Sequence, residues 1–559
     1  MSRLVTADNV THNADSPQFG VTRTDAKPCR TSVDASDEMT DYRGASDLGD
    51  SSRCCSRQRV AEIAFIVLLF FVVGGTPAPE INEAQYLAKA RHFWDPQWCG
   101  PDHFLSTSNT HYVFYWTFGW LTQFLSLTAT AWVGRFVGWT LLAWSWESLA
   151  RRFCNSFGAA IASAGIWLFL IRQLNMAGEW IVGGIEAKIF GYAFVFLGLG
   201  SLADNRWNRV WIHFGIASAF HVLVGGSSVV AAMIAYGLRL RKHKLSWTDL
   251  FPGLLIGGLV SLAGVLPALI GSGEASPEEV AAGVQQYVFY RLLHHLVPRD
   301  FPIWYIVRFL LLTTVWVVAA VGLRKDDKVS RISLFVAGSI VIAICGALID
   351  VCVGHIRPLA AQLLRFYWFR LSDVMVPIGC AVFYCHLLRQ LSGSTKQKWI
   401  VGVACCYVAW SVTAVSIKHH QANYPECDKQ GRVRTVAQYH SWLNVCEWIK
   451  NNTKSDEVVF APPNHQSFKW NAERAEIVTW KDVPQEPKGI LEWRRRLREI
   501  RIFLYRGKLR PVEYTNGRLV ELAKEYSFRY AIIERHRAIP RLFHRVPYEN
   551  DDYIVYQID

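Results

Sequence analysis

The chain has 559 residues, of which 51% are hydrophobic and 19% are charged, and it contains 23 Trp and 31 Phe. This apolar content exceeds what one soluble core needs and is distributed in blocks, which excludes a purely soluble protein and indicates a membrane protein. The net charge of +13 does not require a nucleic-acid partner. Much of the excess falls in short basic loops between apolar segments, where anionic membrane lipid is the simpler partner.

The first 58 residues are polar, rich in Ser, Asp and Thr, and without apolar periodicity. Such a segment cannot bury enough surface to offset chain entropy. We therefore expect residues 1–58 to form a disordered cytoplasmic arm that leads into a first span which stays attached.

Residues 59–417 are predicted to form a polytopic membrane domain. A hydrocarbon core of roughly 30 Å requires about 20 apolar helical residues per span, and the sequence predicts about eleven transmembrane helices on this basis. They lie near 60–76, 130–149, 157–172, 187–203, 209–223, 224–238, 250–271, 303–323, 331–353, 371–391 and 399–417. The segments 209–223 and 224–238 share one apolar block interrupted by Gly225 and Gly226. The alternative is a single span with a re-entrant turn. One span fewer would place the tail on the opposite side of the membrane.

Basic residues indicate the orientation, because cytoplasmic loops retain Lys and Arg. With a cytoplasmic N-terminus, the basic clusters fall on one side of the membrane, at 53–59, 151–152, 206–209, 239–244, 324–331 and 389–398. An odd number of spans then places loops 77–110 and 272–302, segment 354–370 and the tail outside. We expect an integral multi-pass protein whose candidate chemistry shares the extracytoplasmic face.

Two segments outside the spans have distinct patterns. Residues 104–125 are aromatic and apolar, and we interpret them as an interfacial helix, because Trp and Tyr favour the headgroup level. The alternative is one more span. It would place Arg151 and Arg152 on the external side, against the rule that basic residues stay in cytoplasmic loops. Residues 418–559 have short strand-like and helical patterns, which predict a small soluble α/β extracytoplasmic domain.

The first external loop carries the string APEINEAQYLAKARHFWDP at 78–96. It resembles the start of the first external loop in GT-C superfamily membrane glycosyltransferases, where Asp-Glu-x-x-Tyr opens the loop in the protein mannosyltransferase and aminoarabinose transferase branch. The matching stretch here is Asn82-Glu83-Ala84-Gln85-Tyr86. The long first loop, the later external loop at 272–302 and the external C-terminal domain also resemble that family.

One departure from the family pattern concerns the leading Asp, which is Asn82 here. Because Asn cannot act as a base, the role has either moved to Glu80 or Glu83 or been lost. These two glutamates are three positions apart, and on a helical turn their mutual repulsion would raise one pKa and suit that carboxyl to general-base work.

The resemblance implies a polyprenyl-phosphate-linked sugar as donor, so the site needs cations for the departing phosphate, a task that suits arginine. The candidates for substrate binding are Arg357, Arg365, Arg370, Glu186, Lys188, Asp102, Tyr86 and Trp94. The two aromatic residues among them would pack against the sugar. For the charged residues near the span ends, internal ion pairs are the competing interpretation.

The sequence therefore predicts a GT-C-like glycosyltransferase that transfers a sugar to an unidentified acceptor at the external membrane surface. The alternatives are a transporter or flippase of a lipid-linked or polar substrate, and a GT-C-derived scaffold that has lost catalysis. No zinc spacing occurs, and the sequence indicates no particular cofactor. The resemblance leaves a divalent metal ion open, since some GT-C branches use one and others do not. We expect membrane lipid, the lipid-linked donor and the acceptor as partners, and no nucleic acid.

Overall fold

The computed structural model describes residues 38–240, 248, 250–270, 275–391, 393–422, 435–506, 510–535 and 541–559. Contacts divide the chain into a first unit, Met1–Arg57, and a second unit, Gln58–Asp559. The first helix begins at Glu38, where the sequence predicted irregular chain, and residues 1–37 of the predicted arm lie outside the described part. The features that follow belong to the second unit.

Helices form the part of the chain before the tail. In chain order they are α1 (Glu38–Gly74), α2 (Glu83–Trp94), α3 (His103–Ser106), α4 (Tyr112–Thr117), α5 (Leu127–Ala150), α6 (Ala159–Leu174), α7 (Ala187–Ala203), α8 (Trp207–Phe220), α9 (Val222–Leu240), α10 (Phe251–Ile270), α11 (Pro277–Gln286), α12 (Leu293–Leu296), α13 (Ile303–Gly322), α14 (Asp327–Val353), α15 (Arg357–Leu364), α16 (Arg370–Gln390) and α17 (Thr395–Ala422). The predicted first external loop thus contains a twelve-residue helix, α2.

Four helices in the described part of the chain, α10, α13, α14 and α16, are long and apolar enough to cross a membrane. The protein is therefore a helical protein with candidate membrane spans, as expected, but the prediction of about eleven spans is too high. Helices α6, α7 and α8 have 16, 17 and 14 residues, and at 1.5 Å per residue even α7 extends only about 26 Å. Their apolar residues are mostly buried in the protein core, so the apolar composition reflects packing between helices as well as membrane contact.

The apolar block 209–238 forms two helices that meet at His221, between α8 and α9. Gly225 and Gly226, which the sequence analysis took as the interruption, lie inside α9. Gly225 packs so closely against Ser218 of α8 that a Cβ would collide with the Ser218 backbone. Close helix packing accounts for this glycine, and the predicted position of the break is wrong.

Residues 104–125 form α3, α4 and a 3-10 turn at Gly119–Gln123. The longest of these elements, α4, has six residues. This length is far short of a membrane span, so the alternative of an additional span is wrong. The interfacial location stays a prediction.

The tail folds as a small α/β unit, as the sequence predicted. It contains α18 (Val436–Asn452), β1 (Val458–Phe460), α19 (Phe468–Ala472), β2 (Ala475–Glu476), α20 (Pro487–Arg506), α21 (Val512–Tyr526), β3 (Phe528–Glu534), β4 (Arg545–Glu549) and β5 (Tyr553–Gln557). The sheet order is β2-β1-β3-β5-β4, with β2, β1 and β3 parallel and β3, β5 and β4 antiparallel. Helix α18 starts at a capping box in which the side chains of Thr435 and Gln438 bind each other's backbone N–H, which satisfies two otherwise unpaired donors.

The tail packs directly against the first loop. The Ser108 N–H donates to the Glu486 carboxylate over 3.0 Å, and Trp470 Nε1 donates to Thr128 Oγ1 over 3.3 Å. These bonds, together with a 3.2 Å contact between His103 Nε2 and the Gly489 carbonyl, place the tail at the end of the helical part where α1 ends and α5 begins.

The tail also packs against the second loop, through α20 and α11. The Arg494 guanidinium lies 3.6 Å from the centre of the Tyr290 ring, and Arg501 donates to the Tyr290 hydroxyl over 2.6 Å. Arg495 and Arg496 pair with Glu492. These four arginines of α20 therefore bind other residues of the protein, whereas Arg498 on the same helix is exposed.

Candidate functional site

A connector of irregular backbone, residues 175–186 between α6 and α7, organises the candidate site. Its N–H groups bind three carboxylates, two from the first loop and one from α16. Met176 and Ala177 donate to Asp373 over 2.9 and 2.8 Å, Gly184 donates to Glu80, and Ile185 donates to Glu83 over 2.9 Å. Buried N–H groups need such partners where no regular ladder supplies them, so the acids hold the connector in place.

Two of the three glycines of the connector, Gly183 and Gly184, are required by this contact. A Cβ at Gly183 or at Gly184 would collide with the Glu80 side chain. The absence of side chains at both positions lets the connector backbone approach the Glu80 carboxylate directly.

Glu83 forms a buried ion pair with Arg135 of α5. Arg135 Nε and Nη2 donate to the two oxygens of Glu83 over 2.8 and 2.5 Å, and both side chains are fully buried. Arg135 also donates to the Thr76 carbonyl over 2.5 Å. Because both oxygens of Glu83 are occupied by a bidentate guanidinium, the geometry favours a structural role for this predicted catalytic residue.

Glu80 has a different environment, although it lies one turn before Glu83. Burial raises the pKa of Glu80 to about 8, and the nearby Glu186 and Glu83 carboxylates act in the same direction. The sequence analysis expected one raised pKa from repulsion between the two glutamates, whereas burial is the larger cause. Glu80 is therefore a carboxyl whose protonation changes near neutral pH.

Asn82, the residue that replaces the family's Asp, binds Glu186. Its Nδ2 donates to Glu186 Oε1 over 2.9 Å, and the other Glu186 oxygen lies 3.3 Å from Lys188 Nζ. An aspartate at position 82 would face Glu186 without a proton to donate. The internal pairing considered for Glu186 and Lys188 is thus present, and Asn82 completes it.

Arg370 is also paired internally, with Glu179 of the connector. Its Nε lies 3.0 Å from Glu179 Oε2, while the Asp373 carboxylate binds the connector. Arg370 Nη1 also donates to His221 Nε2 over 3.2 Å. Arg370 and Asp373 do not pair with each other, since Asp373 accepts hydrogen bonds from the Met176 and Ala177 N–H groups.

Tyr86 joins this cluster from the first loop. Its hydroxyl lies 3.4 Å from His111 Nε2, and the His111 ring lies 5.8 Å from the His221 ring. Burial lowers the pKa of His111 to about 4, so this histidine is neutral at physiological pH. Tyr86, the two histidines and Arg370 thus lie next to one another in this cluster.

Tyr367 contacts Arg370 from a left-handed backbone conformation, with a φ of 54°. Its ring centre lies 4.0 Å from the Arg370 guanidinium, and its hydroxyl lies 3.2 Å from that of Tyr287 in the second loop. A non-glycine residue in this region carries strain of about 1–3 kcal/mol. Such strain persists where the surroundings impose it, here at the contact between the second loop and Arg370.

The tail and the second loop each add one cation to this end of the protein. Lys481 lies within electrostatic range of Glu186 and Lys188, and burial together with the Arg291 charge lowers the pKa of Lys481 to about 8. Arg291 donates to the Trp480 carbonyl over 3.1 Å. Among the described residues, the Lys481 ammonium has no hydrogen-bond acceptor and no ion-pair partner. The positive charges of Lys188 and Arg370 are neutralised by glutamates, whereas that of Lys481 is not.

Asp102 belongs to a separate, structural cluster. The buried ammonium of Lys469 lies 3.3 Å from Asp102, 2.6 Å from Glu476 and 2.7 Å from Asp482. Burial raises the pKa of Glu476 to about 8, which reduces the repulsion among three carboxylates. Asp102 therefore connects the first loop to the tail, and the structure does not bring it to Glu80.

The remaining predicted residues lie elsewhere. Trp94 is eleven residues along α2 from Glu83, about 16 Å along the axis, and its indole N–H donates to the Tyr115 carbonyl over 2.9 Å. Arg357 and Arg365 are exposed at the two ends of α15, where they lie over the rings of Phe289 and Phe366. The structure thus assembles Tyr86, Glu186, Lys188 and Arg370 with the two glutamates, and leaves the others outside this cluster.

A small cavity of about 50 Å³ opens beside Tyr86. It is bounded by residues of the first loop and by Gln485 of the tail, and the buried Ser108 Oγ and His111 Nδ1 on its wall have no hydrogen-bond partner in the described part of the chain. Unpaired buried polar atoms indicate a place for water or a ligand group.

Sequence reasoning missed Arg135, His111 and Lys481. Arg135 carried a usable signal, because a lone arginine within an apolar segment requires an acidic partner. The other two depend on contacts between distant segments. No group of three His, Cys, Asp or Glu side chains suited to a metal ion occurs among the residues that the structure describes.

One comparison with known proteins gives a match. A domain of unknown function, DUF6798, matches residues 440–500. The matched region contains Lys469, Glu476, Lys481 and Asp482, which are the tail residues that approach the first loop and the candidate site. No curated protein matches the chain.

Proposed function

We propose that the protein is a membrane glycosyltransferase that transfers a sugar from a polyprenyl-phosphate donor to an acceptor at the extracytoplasmic membrane surface. The observation that carries this proposal is the buried Glu80, whose pKa is about 8, in a cluster of carboxylates and cations that the tail approaches. The resemblance of residues 82–86 to the GT-C loop supports the same chemistry.

Glu80 is the proposed general base, in place of the aspartate that Asn82 replaces. A base with a pKa near the working pH takes a proton from an acceptor hydroxyl most effectively. Glu83 instead positions the loop through Arg135. This assignment separates the two glutamates that the sequence could not distinguish.

Lys481 and Arg291 are the proposed ligands of the donor phosphate, with Arg370 and Lys188 beside them. A phosphate adds two negative charges at most, and it binds most favourably where positive charge is not already neutralised. Because Glu179 pairs with Arg370 and Glu186 with Lys188, the surplus positive charge comes from the tail and the second loop. This arrangement gives the tail a direct part in donor binding.

The test measures donor binding and transfer with the purified full-length protein and a polyprenyl-phosphate-linked sugar. We expect Glu80→Gln to bind the donor as wild type does and to lose transfer. Lys481→Met should weaken binding by roughly 10- to 100-fold, because a hydrogen bond to a charged group contributes about 1.5–3 kcal/mol. Lys524→Met, at an exposed lysine of α21, is the matched control and should change neither quantity.

Four results would contradict this proposal or a part of it. Wild-type transfer in Glu80→Gln would exclude Glu80 as the base. Unchanged binding in Lys481→Met together with weaker binding in Arg365→Ala would move the phosphate to α15. An absence of donor binding by wild type would exclude the transferase function, and donor binding without turnover would identify a scaffold that has lost catalysis.

A further inference from the structure

The short helix α15 lies in the segment that connects two candidate membrane spans. Helix α14 ends at Val353 and α16 begins at Arg370, and both helices are long and apolar enough to cross a membrane. Segment 354–369, which includes α15, joins the end of the first helix to the start of the second. Because a chain that leaves one span and enters the next turns at the membrane boundary, α15 lies at that boundary when both helices cross.

An exposed apolar stripe runs along α14 toward this segment. Four apolar residues of α14, at spacings of three, four and three, are exposed: Val341, Ile344, Leu348 and Val351. This is the spacing of a single helix face. The apolar exposure continues at Ile356 and Leu359 of the connecting segment. A contiguous exposed apolar face of this kind marks an interaction surface, and on a candidate span that surface suits lipid.

Aromatic residues indicate a membrane boundary at the same level of the protein. Arg299, shortly before α13, pairs with Asp350 near the end of α14 over 2.7 Å, which holds the start of α13 beside the end of α14. Trp304 and Tyr305 in the first turn of α13 are exposed. Trp and Tyr are enriched where a span meets the lipid headgroups. These two residues therefore support the boundary independently of the path of the connecting segment.

Two arginines of this segment carry positive charge that no carboxylate neutralises. Arg357 begins α15 and Arg365 follows its last residue, and both are exposed. Neither forms an ion pair with a carboxylate of the described ranges, and segment 354–369 contains no Asp or Glu. Their guanidinium groups lie 5.3 and 5.0 Å from the ring centres of Phe289 and Phe366. Such cation–π contacts orient an arginine without cancelling its charge.

From this arrangement we infer that segment 354–369 is a binding site for anionic membrane phospholipid, in which Arg357 and Arg365 each bind the phosphate of one lipid. The arginines are eight positions apart, about 12 Å along a helix axis, which suits two neighbouring headgroups better than a single phosphate. A guanidinium binds phosphate oxygens bidentately, while Leu359 and the α14 stripe contact the acyl chains. An anionic headgroup balances the surplus positive charge, whereas a zwitterionic headgroup brings a cation of its own.

The inference does not rest on the proposed transfer reaction, because both arginines lie outside the cluster around Glu80. The test measures lipid binding to the full-length protein in detergent by native mass spectrometry, which counts the lipids bound at each lipid concentration. The probes are phosphatidylglycerol, phosphatidylcholine and inorganic phosphate. We expect wild type to bind phosphatidylglycerol more tightly than phosphatidylcholine. Arg357→Gln and Arg365→Gln should each weaken phosphatidylglycerol binding about fivefold, which corresponds to the ~1 kcal/mol that one basic residue contributes at an anionic membrane surface.

Matched variants separate the charge from folding. Arg357→Lys and Arg365→Lys keep the charge and should weaken binding less than the glutamine variants, since Lys also binds phosphate as a point charge. Arg498→Gln, at an exposed arginine of α20 in the tail, should leave lipid binding unchanged.

Four results would overturn the inference. The first is equal affinity of wild type for the two lipids, and the second is wild-type affinity for phosphatidylglycerol when both arginines are replaced by Gln. The third is equal loss of binding in the lysine and glutamine variants. The fourth is displacement of phosphatidylglycerol by inorganic phosphate at matching concentrations, which would identify a site for a free anion instead of a membrane lipid.

Discussion

Removal of Arg135 should destabilise the whole helical unit. In Arg135→Met, Glu83 loses a bidentate partner and keeps two backbone donors, the N–H groups of Glu80 and Ile185. Breaking a buried pair by removing one partner costs about 3–5 kcal/mol. With an unfolding entropy near 2.1 cal/mol/K per residue over about 500 residues, this loss lowers Tm by about 3–5 °C.

A double-mutant cycle separates the pair from its surroundings. We expect Glu83→Gln combined with Arg135→Met to be less destabilised than the sum of the two single variants, by about 1–3 kcal/mol, since the second change removes the charge that the first leaves unpaired. The assay is thermal unfolding of the purified protein in detergent. The exposed pair Lys450–Glu473 is the control, because each side chain is 42% exposed and such pairs contribute about 1 kcal/mol or less. Additive effects in the Glu83–Arg135 cycle would refute the reasoning.

Three further predictions concern the same end of the molecule. The folded-state pKa of Glu80, about 8, is above its unfolded value of 4.5, so the ionised carboxyl at high pH disfavours the folded state. The free energy of unfolding should therefore fall between pH 5 and pH 8. Glu80→Gln should make Tm less dependent on pH over this range in thermal melts. Asn82→Asp should lower Tm without raising turnover, because it removes the donor to Glu186 and adds a like charge; higher turnover would show that the family's aspartate role is still supported here. Tyr290→Ala should loosen the tail from the second loop through loss of its contacts with Arg494, which limited proteolysis detects as faster cleavage, and an unchanged cleavage rate would contradict this docking interface.

The elements predicted best were those with strong local patterns. Helix α18 and strands β1, β3 and β5 follow from apolar periodicity and flanking turn residues. Strand β4 was missed because RVPYE has little apolar alternation and contains a proline, which disfavours a strand. The number of spans was overestimated because an apolar helix buried among other helices has the same composition as one that faces lipid.

The candidate site was predicted in part. The position of Glu80 and Glu83 in a loop suggested chemistry, but their different environments depend on Arg135 and on the connector, which lie 52 or more residues away. The sequence offered Arg365 as one of several cations for the phosphate, whereas pairing in space decides which cation carries surplus charge. Lys481 lacked any local signal, since its importance arises from the packing of the tail on the first loop.

The Lys469 cluster has a consequence for the order of events during synthesis. Asp102 and Glu476, joined by a hydrogen bond from the Glu476 N–H, are 374 residues apart in the chain. At 5–20 residues per second the ribosome needs about 20–75 s to make that interval. Throughout this time the first loop has been synthesised, but the tail that packs against it has not. Asp102 and Lys89 are therefore not yet covered by the tail. The nascent protein therefore carries an incomplete first loop for most of its synthesis, and the last quarter of the chain supplies the finishing contacts.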